Sequence, residues 1–258
     1  MRTLTLTHRI DGDGPPLILL NGGLMSITAW DPFIPALSQR RRVIRCDFRG
    51  QLRSSGPHPT SFDEHARDVV DLMDSLGIET AHWVGVSFGA LVSMVAAARH
   101  RDRVSQLTVI TATERTDERM RREAAEGREL AESAAAGGEG GAEMVRRIFA
   151  QTWSEQWLAR QPAGFLEARM QQVAALPREF FAGSAAILAL LEDLDFTPFL
   201  GDITAPTLVI GGADDRVFPP GHSRAIADLI PGATLEIIEG TGHGLLFERA
   251  ERVLELLA

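Results

Sequence analysis

The sequence predicts an α/β fold, a mostly parallel sheet that helices cover on both faces. Short and almost continuously apolar runs alternate with helix-like segments, which is typical of parallel strands buried on both faces. The alternation stops after residue 113 and resumes near residue 201, and the segment between is rich in Ala, Glu, Arg and Leu at helical spacing. We therefore expect one sheet domain in two parts, 1–113 and 201–258, with a helical insertion at 114–200.

Each element has its own local signal. Residues 3–7 alternate threonine and leucine, which predicts an opening edge strand. Ser61 and Glu64 have the spacing of a capping box that begins a helix, and Gly77 ends it. An alanine-rich run at 88–99 predicts a second helix. Apolar runs predict further strands at 17–20, 43–47, 81–86, 104–111, 207–210 and 234–238, and helix-like runs follow the last two at 223–230 and 245–257.

The composition excludes several classes of enzyme. The chain has 258 residues but no lysine and no tyrosine, so all 26 basic side chains are arginine. Enzymes that need a lysine amine, such as pyridoxal enzymes and P-loop proteins, are therefore excluded. Cys46 is the only cysteine, which excludes an intrachain disulfide and a multi-cysteine metal site.

Charge and hydropathy restrict the partners. The net charge is -9 and the arginine clusters are short, so we expect no nucleic-acid partner. No apolar run approaches membrane-spanning length, and the first eight residues lack the apolar block of a signal peptide. We therefore expect a cytoplasmic protein with no membrane partner.

The pattern G-x-S-x-G at residues 85–89 indicates a nucleophile. Such a pattern turns a strand sharply into a helix and presents the serine hydroxyl at the carboxyl edge of the sheet. An apolar strand precedes Ser87 and a helix-forming run follows it, which is the context that this motif requires. Ser87 is therefore the candidate nucleophile.

A serine nucleophile needs a base, and the base needs an acid that orients it. His243 is the candidate base, because glycines on both sides suit a loop that projects a side chain after a strand. Asp214 and Asp215 follow another strand and are the candidate acids, and ligand sites gather at such strand ends. Glu114, at a further strand end, is a distant alternative. The other histidines are interpreted as surface or structural residues: His8, His58, His65, His82, His100 and His222.

Two of these loops resemble those of the α/β-hydrolase family. Residues 212–219 resemble its acid loop, in which the aspartate stands three residues after a glycine, and this favours Asp215 over Asp214. His243, with Glu248 downstream, resembles its histidine loop.

A third segment, residues 47–54, resembles the D-x-R-G-x-G-x-S segment of the same family, with Leu52 where glycine is usual. The resemblance covers essentially the whole chain. It implies the fold of that family, in which a helical cap, here 114–200, is inserted after the sixth strand and roofs the substrate pocket.

The resemblance also implies an oxyanion hole formed by the backbone N–H groups of Gly23 and Phe88. Family members commonly carry His-Gly before this loop, whereas this chain has Asn21 followed by two glycines. Asn21 then either lines the pocket or braces the loop through side-chain hydrogen bonds. The candidates for lining the substrate pocket are Asn21, Leu24, Trp153, Trp157 and Phe181.

The activity implied by the resemblance is that of a serine hydrolase, which cleaves a small ester or lactone through an acyl-enzyme. It needs no cofactor and no metal, its partner is a small-molecule acyl substrate, and a homo-oligomer is left open. Dehalogenases and epoxide hydrolases of this fold carry aspartate at the position of Ser87, and its hydroxynitrile lyases rely on lysine, so these are excluded. Carbon–carbon hydrolysis, perhydrolysis and a non-hydrolytic ligand-binding or biosynthetic role stay as alternatives. Any cation that meets the substrate is an arginine, with Arg49 and Arg53 the first candidates.

Overall fold

The computed structural model describes residues 6–51, 54 and 56–257, and seven strands in them form one sheet. The strands are β1 (His8–Asp11), β2 (Pro16–Leu20), β3 (Arg42–Cys46), β4 (Ala81–Val86), β5 (Val104–Ile110), β6 (Thr207–Gly212) and β7 (Thr234–Ile238). Their spatial order is β1-β3-β2-β4-β5-β6-β7. Strand β1 is antiparallel to β3, and every other neighbouring pair among these strands is parallel. The predicted mostly parallel sheet is confirmed.

Helices connect the strands. They are α1 (Ile34–Leu37), α2 (Phe62–Ser75), α3 (Phe88–Arg99), α4 (Glu118–Ala135), α5 (Gly140–Thr152), α6 (Glu155–Leu158), α7 (Phe165–Ala174), α8 (Arg178–Leu191), α9 (Pro220–Leu229), α10 (Leu245–Glu248) and α11 (Ala250–Leu257). Three short 3-10 helices cover Ile27–Phe33, Arg101–Arg103 and Leu200–Asp202. At the start of α2, Ser61 Oγ accepts a hydrogen bond from the Glu64 N–H at 3.2 Å, as the capping signal predicts. The Glu64 carboxylate reaches one residue further back and accepts from the Thr60 N–H at 2.8 Å.

The two faces of the sheet each bury a hydrophobic core. Consecutive strand residues point to opposite faces, so Ile18 and Leu20 of β2 join one core, whereas Leu17 and Leu19 join the other. Helices α2, α3 and α9 cover the first face, and α10, α11 and the first 3-10 helix cover the second. This two-sided burial explains why the strands are apolar without alternation.

The beginning of the chain differs from the expectation. Of the strand predicted at residues 3–7, residues 3–5 lie outside the described part, and Leu6 and Thr7 are not in a strand. The Thr7 N–H donates instead to the Ser54 hydroxyl at 2.9 Å. The first described strand begins at His8, and the helical insertion follows β5, the fifth described strand, where a sixth was expected.

Helices α4 to α8 all lie between β5 and β6, inside the segment predicted as an insertion. Four of them, α4, α5, α7 and α8, pack around a separate core that includes Met144, Val145 and Phe180. The boundaries at residues 114 and 200 stay a prediction. Among the described helices none is alone long and apolar enough to cross a membrane, and α7 with α8 reaches that length only as a pair bent by 98°.

Candidate active site

Ser87 occupies a strained turn between β4 and α3. Its backbone has φ 51° and ψ -115°, a conformation that side-chain-bearing residues rarely adopt. A Cβ on Gly85 would lie 2.3 Å from the Gly89 carbonyl oxygen, and one on Gly89 would lie 2.5 Å from the Leu20 carbonyl oxygen. The chain can therefore turn this sharply only with glycine at both positions, as the motif predicts.

Replacing Gly89 by alanine is expected to lower the free energy of unfolding by about 1–3 kcal/mol, because the new methyl group overlaps the backbone of the neighbouring strand. Urea unfolding followed by circular dichroism measures the change. Gly221→Ala is the matched control, since a Cβ at Gly221 in α9 meets nothing within 4 Å. An unchanged unfolding midpoint in Gly89→Ala would show that the turn relaxes without cost.

The structure brings Ser87, His243 and Asp215 into one chain of hydrogen bonds. His243 Nε2 lies 3.0 Å from Ser87 Oγ, and His243 Nδ1 lies 2.8 Å from Asp215 Oδ2. Asp215 is buried, and its other oxygen accepts from the N–H groups of Val217 and Phe218 at 2.9 Å each. The carboxylate is thus held in place, and this arrangement can move a proton from the serine hydroxyl to the imidazole.

The two other candidate acids lie elsewhere. The side chain of Asp214 is exposed, while its backbone N–H donates to the Thr241 carbonyl at 2.8 Å. Glu114 is buried, but it pairs with His222, whose Nδ1 lies 2.8 Å from Glu114 Oε2. Of the three acids considered, Asp215 is the one that contacts His243.

Asn21 braces the loop that follows β2. It is fully buried, and its Nδ2 donates to the Cys46 carbonyl at 3.0 Å and to Asp47 Oδ1 at 3.1 Å. Its Oδ1 accepts from the Trp30 indole N–H at 2.9 Å. Both ends of the amide are thus bonded within the fold, which is the bracing role, the second of the two expected for Asn21.

The same loop lies next to Ser87. Strand β2 pairs with β4 with Leu20 opposite Gly85, so the chain that leaves β2 passes beside the turn at Ser87. Gly23 is half-buried there, and Phe88 is the first residue of α3. The backbone N–H groups of both residues therefore stand at the same edge of the sheet as the Ser87 hydroxyl.

The cap residues fall into two groups. Trp153 and Trp157 stack on each other with ring centroids 4.4 Å apart. The Trp153 ring packs against Gly244, next to His243. Phe181 is buried in the core of the cap, and Leu24 packs against that core. Trp153 is thus the predicted pocket residue that the structure places beside the histidine loop. A separate groove lies between α2, α3 and α8 and is lined in part by Phe62, Arg99 and Phe199. The five residues predicted to line the substrate pocket are not part of its lining.

Glu248 joins the histidine loop to the cap, a role that the sequence pattern does not reveal. The carboxylate is buried and accepts from the Gly242 N–H at 3.2 Å and from the Ser154 N–H at 3.0 Å. The Ser154 hydroxyl also donates to it, at 2.5 Å. The Gly244 N–H bonds the Thr152 carbonyl at 2.7 Å, so the residues on both sides of His243 are tied to the cap.

Replacing Glu248 by glutamine is expected to lower the free energy of unfolding by about 1–3 kcal/mol, because the amide leaves a buried N–H or O–H donor unpaired. Displacement of the histidine loop should also reduce kcat/KM for an acyl ester by about 10-fold. Urea unfolding and initial rates measure the two effects. Glu251→Gln, at an exposed position of α11, should change neither. Equal behaviour of the two variants would contradict this role.

The buried histidines outside the hydrogen-bond chain of Ser87, His243 and Asp215 are structural. Burial lowers the pKa of His65 to about 3 and that of His82 to about 4, so both rings are neutral at neutral pH. His82 Nε2 bonds Thr108 Oγ1 at 2.9 Å, and the His65 ring packs edge-on against Phe88. Burial likewise raises the pKa of the Cys46 thiol, which keeps it protonated and unreactive.

The lowered pKa of His65 predicts a loss of stability in acid. The unfolded chain binds a proton at an ordinary histidine pKa of about 6.5, while the folded chain binds it only near pH 3, so stability falls as the pH falls between these values. Wild type is expected to lose about 2 kcal/mol more unfolding free energy than His65→Phe between pH 7 and pH 5. Urea unfolding at the two pH values measures the difference. Parallel pH dependences in wild type and variant would contradict the prediction.

The structure places one of the two candidate cations, Arg49. Arg49 Nε lies 2.7 Å from Asp68 Oδ2, so this guanidinium is already paired with a carboxylate. Arg53 and Leu52 lie outside the described residues. Within the described ranges, no group of three or more His, Cys, Asp or Glu side chains could hold a metal ion.

Comparison with known proteins agrees with this architecture. Residues 15–250 match the family model of the alpha/beta hydrolase fold. The chain is 33% identical to "Putative carbamate hydrolase RutD" of Caulobacter sp. strain K31, over 93% of this chain and 89% of that protein. It is 31% identical to the protein of the same description from Azorhizobium caulinodans, over 92% and 88% of the two chains.

Solved structures are similar over almost the whole chain. The enol-lactonase from Burkholderia xenovorans LB400 matches with a TM-score of 0.84 and 27% identity, over 98% of this chain and 94% of that one. A thermophilic esterase from Thermogutta terrifontis matches with a TM-score of 0.84 and 27% identity, over 98% and 91%.

Proposed function

Because the chain belongs to the alpha/beta hydrolase family and is a hydrolase, we propose that it cleaves a small carboxylic ester or lactone through an acyl-enzyme on Ser87. The observation that carries this proposal is the chain of hydrogen bonds from Ser87 through His243 to Asp215, at 3.0 and 2.8 Å. A hydroxyl, an imidazole and a buried carboxylate in this order are the parts that acyl transfer needs.

In the first step His243 Nε2 accepts the proton of Ser87 Oγ while that oxygen attacks the carbonyl carbon of the substrate. The carbonyl oxygen becomes an oxyanion, held by the backbone N–H groups of Gly23 and Phe88, and the positive end of α3 favours this charge. Asp215 stabilises the imidazolium and keeps its Nε2 directed at the serine. The carbon–oxygen bond of the ester then breaks, and His243 returns the proton to the leaving alcohol.

In the second step a water molecule gives a proton to His243 Nε2 and attacks the acyl carbon. The bond between the acyl carbon and Ser87 Oγ breaks, the serine recovers its proton from His243, and the carboxylic acid leaves. Both half-reactions therefore use the same base and the same pair of backbone N–H groups.

Carbamate hydrolysis is the second candidate function. The relatives from Caulobacter and Azorhizobium, whose descriptions name a carbamate hydrolase, align with more than nine-tenths of this chain. A carbamate also presents an acyl carbon to a serine nucleophile, so both candidates use the same site. A small-molecule acyl partner and a cytoplasmic location stay predictions.

A panel of nitrophenyl esters, lactones and phenyl carbamates tests the proposal. We expect a burst of nitrophenol equal to the enzyme concentration before steady turnover, and covalent labelling of Ser87 by a fluorophosphonate probe. Tight binding of acyl ligands without turnover or labelling would instead support a non-hydrolytic role. Preferred release of acids from carbon–carbon or peroxide substrates would favour the alternative hydrolases of this fold.

A further inference from the structure

Gln51 lies beside the oxyanion loop and is held firmly in place. Its backbone closes a turn, in which its N–H donates to the Phe48 carbonyl at 3.0 Å and its carbonyl accepts from the Ser54 N–H at 2.9 Å. The residue is 7% exposed. Its side-chain Nε2 donates to the Gly23 carbonyl at 3.3 Å. The amide therefore has one defined orientation at the loop.

The other end of this amide has no partner. Gln51 Oε1 is buried and accepts no hydrogen bond from the part of the chain that the structure describes. The carbonyl of Gly23 can only accept, so the nitrogen must face it and Oε1 must be the remaining atom. A buried acceptor without a donor is unfavourable, and a hydrogen bond from a ligand donor would remove that cost.

Among the described residues, no side chain around Gln51 donates to Oε1. Gln51 lines a narrow cavity with Gly23, Met25 and Phe180, between the oxyanion loop and helix α8 of the cap. Met25 and Phe180 have apolar side chains, and the Met25 sulfur already accepts from the Gly22 N–H at 3.3 Å. A substrate group that enters between the loop and the cap can therefore supply the donor for Oε1.

We propose that Gln51 is a specificity-determining residue, which selects acyl substrates that carry an N–H or O–H group beside the reacting carbonyl. This inference rests on the proposed function, in which the Gly23 N–H holds the carbonyl oxygen of the substrate. Gln51 bonds the carbonyl of that same glycine, which places its amide beside the loop that would hold the acyl group. A carbamoyl group offers an N–H at this place, and a hydroxyacyl group offers an O–H.

The test compares substrates of equal size with and without the donor. Phenyl carbamate is paired with phenyl acetate, and phenyl glycolate with phenyl propionate, and kcat/KM is measured from the release of phenol. Gln51→Met keeps the length of the side chain but removes the acceptor. It is expected to lower kcat/KM for the donor-bearing substrates about 10-fold more than for their methyl partners. The ratio within each pair cancels any general disturbance of the Gly23 loop.

Phe180→Leu is the matched control, because Phe180 lines the same cavity and its side chain has no polar atom. It should leave both ratios unchanged. A changed ratio for the carbamate alone assigns an N–H donor, a changed ratio for the glycolate alone assigns an O–H donor, and a change in both supports either group. Gln51→Leu replaces Gln51→Met if circular dichroism shows that the latter does not fold.

Two outcomes overturn the proposal, and they are distinguishable. If wild type hydrolyses phenyl acetate but Gln51→Met lowers all four rates equally, Gln51 only braces Gly23, and the proposed function is unaffected. If wild type hydrolyses none of the four esters and a fluorophosphonate does not label Ser87, the proposed function and the role of Gln51 both fail.

Discussion

Replacing Ser87 by alanine is expected to lower kcat for nitrophenyl acetate hydrolysis by about 10⁴- to 10⁶-fold. The Ser87 hydroxyl oxygen is the atom that would attack the acyl carbon. Without it, His243 and the backbone N–H groups can only assist attack by a water molecule, which is slower. Fluorophosphonate labelling, read by intact-protein mass, should disappear in the same variant. The residual rate measures what the N–H groups of Gly23 and Phe88 supply without the nucleophile.

Ser105→Ala is the control for this experiment, because Ser105 is an exposed residue of β5 on the same sheet. Its rate and labelling should equal those of wild type. Turnover of Ser87→Ala within 10-fold of wild type would show that the reaction does not use this serine.

Replacing Asp215 by asparagine is expected to lower kcat by about 10⁴-fold with little change in the fold. The Asp215 carboxylate accepts a hydrogen bond from His243 Nδ1–H, which fixes the tautomer in which Nε2 is free to accept the serine proton. An asparagine amide can donate to Nδ1 instead, and this favours the tautomer in which Nε2 carries the proton. Initial rates on nitrophenyl acetate measure the loss.

The matched control for Asp215 is its neighbour. Asp214→Asn changes an exposed side chain and should keep at least half of the wild-type rate. Glu114→Gln tests the third acid, which bonds His222, and should also keep most of the rate. A larger loss in either control than in Asp215→Asn would assign the orienting acid to that residue.

Much of the fold is readable from local signals in the sequence. Strands β2 to β6 are largely buried and apolar because both faces of the sheet are covered, and the turn at Ser87 needs glycines that the motif displays. The sequence pattern does not predict β1 at His8–Asp11, because its pairing with β3 and the bond from Thr7 to Ser54 are long-range interactions. Local alternation of threonine and leucine carries no information about such partners.

The residue types of the candidate site, and their order at the ends of strands, follow from the sequence alone, because elbow and loop glycines are local requirements of the backbone. The tertiary structure decided which side chains meet. It brought Asp215 to His243 while exposing Asp214, and it bonded the Asn21 amide to the Cys46 carbonyl. It also placed Glu248 against Ser154, 94 residues apart in the chain, and Gln51 against Gly23. Such contacts depend on how distant segments pack, and no local pattern encodes that packing.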